Sequence, residues 1–164
     1  MIERHSLELA LPGASIGAVA GAMSGGLILL VGQSAGVAAL SALALAVPLA
    51  LFGGLYGVLL AHGVFRPGTF GPVGLYWVAA FPLSRLLQES LTGVGLGMAD
   101  GVLAFLAYQA MVSLGFAIGF VFVHERLMPH WLVRRAPVNP RADALFGHYV
   151  QYAEAMRARK GARG

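Results

Sequence analysis

The sequence predicts an all-α integral membrane protein: a four-helix bundle of two helical hairpins, followed by a cytoplasmic amphipathic helix. Three observations carry this. The chain has 164 residues, 58% hydrophobic and 11% charged, with mean hydropathy +0.76. A soluble domain this short needs far more polar surface to cover itself. From 9 to 61 no residue is charged or histidine, a run long enough to cross a bilayer twice. Finally, the basic residues gather at one set of segment ends, as cytoplasmic loops require.

The first span is expected at about 9–31. Glu3 and Glu8 flank this run, and it is too long for the apolar core of a signal peptide, so it reads as a retained helix. Gly32, Gln33 and Ser34 make a very short turn into a second span at about 35–61, with Pro48 near its middle. Arg66, Pro67 and Gly68 signal a turn in the loop that follows. Spans three and four are expected at about 72–91 and 101–123, joined by a glycine-rich linker. Residues 1–124 thus form the bundle and 125–164 a basic tail, helical over about 141–160.

Arg4, Arg66 and the eight basic residues after the fourth span fall on one side, and the other side has none. Both termini are therefore expected in the cytoplasm. Arginine far outnumbers lysine, which fits a GC-rich bacterial genome and a bacterial inner-membrane location. The basic balance follows from topology and does not point to nucleic acid.

Small residues recur every fourth position. Gly13, Gly17, Gly21 and Gly25 form one stripe; Ala38, Ala42, Ala46, Ala50 and Gly54 form another. Stripes of this kind let helix backbones approach closely where no hydrophobic drive exists. They are expected to face each other within the first hairpin or to serve self-association. A second pattern pairs Gly53, Gly57, His62 and Pro67 with Gly115, Gly119, His124 and Pro129 at a constant offset, as a duplicated hairpin would.

Three groups of residues are candidates for function. Arg85 lies about 20 Å into the third span by helical rise. Gln88 and Glu89 follow within one turn, and Asp100 opens the fourth span. Ionisable groups at that depth are expensive and face protein or water. The set reads as a structural pair or as a polar contact for an anion, substrate or proton. His62 and His124 end two spans on the same side and are candidate ligands for haem or a metal, with His130 and Glu125 nearby. In the tail, Leu145, Tyr149, Tyr152 and Met156 share one helical face, and Trp131 precedes them. This face suits the anionic inner leaflet or a partner subunit.

The catalytic inventory is thin. There is no cysteine, which excludes disulfides, thiolate metal sites and a cysteine nucleophile. No phosphate-binding glycine loop, Ser–His–acid set or zinc-enzyme spacing is present. No catalytic residue and no resident cofactor are expected. Three functional readings follow: a non-catalytic accessory, assembly or scaffolding subunit of a larger membrane complex; a homo-oligomeric transport protein using Arg85, Glu89 and Asp100; and a haem- or metal-binding electron-transfer protein using His62 and His124. The expected partners are the lipid bilayer and other membrane subunits or a second copy.

Overall fold

The computed structural model describes residues 4–93 and 101–162. Among these the chain is all helical: α1 (Arg4–Glu8), α2 (Leu11–Leu30), α3 (Ala35–Ala61), α4 (Gly71–Thr92), α5 (Val102–Arg135) and α6 (Pro140–Gly161). Three helices, α2, α3 and α5, are long and apolar enough to cross a membrane, which makes this a membrane-embedded protein. The α4 helix falls short of that hydropathy. It carries Arg85, Gln88 and Glu89 together with Ser84, Ser90 and Thr92 in its second half.

Helix ends follow local chemistry. Ser34 caps α3 by accepting from the Val37 amide at 3.4 Å, and Gly32 turns the preceding chain with φ 83°. Gly93 ends α4 in the left-handed conformation. Two elements differ from expectation. The α5 helix does not stop near 123 but continues through Pro129 to Arg135. The short α1 was not anticipated, since it has too few residues to show an apolar period.

The glycine stripe of α2 packs on α3 along its whole length. A side chain added at Gly13 would collide with the Gly53 backbone, at Gly17 with Leu49 and Ala50, at Gly21 with Ala46, and at Gly25 with Ala42 and the Ala38 carbonyl. The two helices are therefore antiparallel and in backbone contact. The α3 side is not the straight row the spacing implies. Gly53 and Leu49 enter it, while Gly54 sits to one side against Ala10 and Ala14.

The α4 helix runs antiparallel to both α3 and α5. The Tyr76 hydroxyl donates to the Phe52 carbonyl at 2.6 Å. Three turns on, Gln88 reaches Ser41. Trp77 packs edge-on against Phe116 and tilted against Phe120, and Phe81 packs tilted against Phe116. The helices thus form a ring in which α2 and α5 touch only thinly.

Candidate functional site

Two polar constellations sit in this frame, at opposite ends of the bundle. The first lies where α4 passes the beginning of α3. The Arg85 guanidinium donates to the Gln88 side-chain oxygen and stands 3.8 Å from the Glu89 carboxylate. Gln88 in turn donates from Nε2 to the Ser41 hydroxyl at 2.6 Å and to the Ser41 carbonyl at 3.1 Å. Gln88, Glu89 and Ser41 are buried, whereas Arg85 is partly exposed. The chain Arg85–Gln88–Ser41 staples α4 to α3. One Glu89 oxygen, Oε1, is buried without a protein partner. The fourth residue of the expected cluster, Asp100, lies outside the described residues.

The second constellation lies at the other end, where α3, α5 and α6 meet. Tyr56 is its hub. Its ring contacts Phe65, Tyr76, Phe120 and His124, with centroids 4.8–6.3 Å apart. His124 is fully buried, stacked on Phe120 and edge-on to Tyr56, and neither ring nitrogen has a hydrogen-bond partner. His62 has different company. It is exposed at the end of α3, with Nε2 3.2 Å from the Ser6 hydroxyl. The two imidazoles expected as a ligand pair therefore have separate partners. Among the described residues no group of three or more metal-ligating side chains converges.

A cap covers this end. Asn139 caps α6 by accepting from the amides of Arg141 and Ala142, while its Nδ2 donates to the His5 carbonyl and the Glu8 carboxylate. Trp131 donates from Nε1 to the Glu8 carbonyl at 3.0 Å, and its ring lies under the Arg135 guanidinium. Leu145 and Tyr149 enter the hydrophobic core, and the Tyr152 ring lies against Gly68. The Tyr149 hydroxyl is closed to solvent beside Glu125, without a partner at ordinary hydrogen-bond distance. Burial above all, then Glu125 and Tyr56, raise the Tyr149 pKa above its ordinary value.

The tail face expected for a partner is thus largely internal. Trp131, Leu145 and Tyr149 bind the protein's own bundle and cap. Tyr152, which touches Gly68 on one side, and Met156 lie on a stretch from 151 to 162 that is exposed throughout. Between α6 and the loop before α4 a cavity of about 520 Å³ is lined by Arg66, His148, Gln151 and Tyr152.

Three residues at these sites were not singled out by sequence reasoning, though each had a signal. Ser41 and Tyr56 are the only polar side chains between 35 and 61, and each carries an interhelical contact. Asn139 followed by Pro140 is a helix-start signature. Nothing in the spacing foretold its reach to α1. Comparison with protein-family models, with curated proteins and with solved structures gives no match.

Proposed function

We propose that this chain is a multi-pass protein of a bacterial inner membrane, with four spans and cytoplasmic termini, acting as a non-catalytic accessory, assembly or scaffolding subunit of a larger membrane complex. The fourth span is α4. It runs antiparallel beside α3 and α5 over its length, through Tyr76–Phe52, Gln88–Ser41 and Trp77–Phe120. A helix so aligned with two spans crosses with them, and its 22 residues rise about 33 Å, close to the hydrocarbon thickness. Its polar groups are tolerated because they face α3 or pair with each other. Arg66, Arg134, Arg135 and the α6 arginines all gather at the capped end, which is the cytoplasmic one by the positive-inside rule.

One observation carries the accessory role. The first half of α6 is locked into the core, yet 151–162 continues as an exposed helix bearing Tyr152, Met156, Arg157, Arg159 and Lys160. A helical extension this short is marginal alone in water and is stabilised by docking. Aromatic, methionine and arginine side chains suit an interface. The test is affinity purification in gentle detergent of the full chain and of a chain ending at Val150. Larger membrane subunits are expected with the first and absent with the second, at equal thermal stability. If both elute as the same lone species, the accessory role is wrong.

A second reading, transport by an oligomer, is favoured by the buried Glu89 oxygen that lacks a partner. In that reading Glu89→Gln abolishes a flux without lowering the melting temperature.

A further inference from the structure

The thin contact between α2 and α5 leaves a groove that the bundle does not fill. Its apolar part, a cavity of about 380 Å³, is walled by Ile16, Val19 and Met23 of α2 and by Phe116, Gly119 and Phe120 of α5. Gly119 forms an open floor, since a side chain added there meets nothing within 4 Å. Ser15 and Leu127 also line a second cavity of about 490 Å³, so the two are continuous. Here the lining changes to His130, Trp131 and Arg134. Both volumes are in the range of built ligand sites.

The dimensions match an amphiphile. From Phe116 to Leu127 the groove rises about 17 Å along α5, roughly the hydrocarbon depth of one leaflet. Arg134 lies about two turns beyond Leu127, at the level where headgroups begin on the cytoplasmic side. It is exposed and has no acidic partner among the described residues. His130 spends its Nδ1–H on the Arg126 carbonyl at 2.7 Å, so Arg134 is the cation that this end of the groove offers to a headgroup. The Trp131 indole N–H is already engaged by Glu8, so its ring acts as a wall.

We propose that this groove binds one anionic phospholipid, with the phosphate at Arg134 and an acyl chain along the Gly119 floor. Charge complementarity selects this occupant. An apolar partner helix would fit the floor but leave the guanidinium uncompensated. A neutral lipid would fill the floor without using the cation. Basic pockets between spans at the cytoplasmic face are suited to acidic headgroups. The site rests on membrane embedding and is independent of the accessory role.

The experiment uses the purified full chain in neutral detergent, titrated with phosphatidylglycerol, phosphatidylcholine of the same chains, or glycerol phosphate. Retained lipid is counted by native mass spectrometry. One phosphatidylglycerol per chain is expected, with affinity about tenfold above phosphatidylcholine, the scale of one charge-assisted hydrogen bond. Arg134→Gln, at an exposed position, should erase that preference, and Gly119→Leu should lower retention of both lipids. Equal retention of the two lipids by the native chain, or an unchanged preference in Arg134→Gln, would overturn the proposal. So would binding of glycerol phosphate as tight as the lipid's, or crosslinked Met23→Cys dimers that exclude lipid. Should Gly119→Leu not fold, the Arg134→Gln comparison decides alone.

Discussion

At the scale of single residues, backbone contact and burial govern what each position tolerates. Gly17 lies directly on the α3 backbone, whereas Gly26, one step off the stripe, has open space around it. Gly17→Ala should therefore destabilise by roughly 2 kcal/mol or more through forced separation of two helices, while Gly26→Ala should be neutral or slightly stabilising. Thermal unfolding in one detergent compares them directly; equal melting temperatures would contradict the packing. Tyr149 gives a pH test. Its pKa in the folded chain is raised above the ordinary value of 10.0, chiefly by burial. Its contribution to stability is thus fully present below about pH 10 and lost as pH climbs beyond it, when the unfolded chain alone ionises. Tyr149→Phe should match the native chain at pH 8 and lose less stability at pH 11. The stripe residues on α2 were legible from spacing alone, since period four is a property of one helix. The hub at Tyr56 was not, because its partners come from α4, α5 and the connecting loop.

Among elements, agreement with the sequence is best where a single helix decides the outcome. The second span was expected at 35–61 and α3 occupies Ala35–Ala61, because Ser34 caps one end and the apolar run stops at His62. The extension of α5 to Arg135 was obscured by Pro129 and by polar residues from 124 onward, which lower the hydropathy without ending the helix. The paired positions of the two halves play unlike parts. Gly53 is pressed against Gly13 of α2 and Gly57 against Leu9 and Ala10 just before it, but Gly115 and Gly119 face open space; Pro67 sits in a loop and Pro129 inside a helix. The tail's apolar face was expected to meet a partner or the membrane surface; in the structure its Leu145 and Tyr149 meet the chain's own core. Asn139 is the joint that sets this geometry. Asn139→Ala removes the α6 cap and both ties to α1, and should cost about 2–3 kcal/mol, read by thermal unfolding. Unchanged stability would show that α6 docks without that joint.

For the whole molecule, the two ends differ in kind. Among the described residues, one end is a turn of a few small residues, and the other is a cap that unites α1, the loop before α4, the end of α5 and α6. The absence of cysteine permits a direct topology test. A cysteine at Ser34 should react with an impermeant maleimide from outside intact cells, and one at Thr69 only after permeabilisation. The reverse pattern would invert the protein in the membrane. All-helical, membrane-embedded character was legible because it depends on composition and run length. Asymmetry between the ends was legible from charge, but the aromatic and hydrogen-bonded seal behind that charge was not, since those residues are far apart in the chain.

The cap has a consequence for biogenesis. Trp131 and Asn139 bind Glu8 and His5, so residues synthesised later close on residues synthesised more than a hundred positions earlier. The early hairpin can form while synthesis continues, but His5 and Glu8 lack these later partners until α5 and the start of α6 have emerged from the ribosome. Any chain cut short before Tyr149 lacks the part of α6 that enters the core and leaves that end of the bundle uncapped. A surveillance protease reading exposed aromatic surface would thereby distinguish a capped copy from an interrupted one.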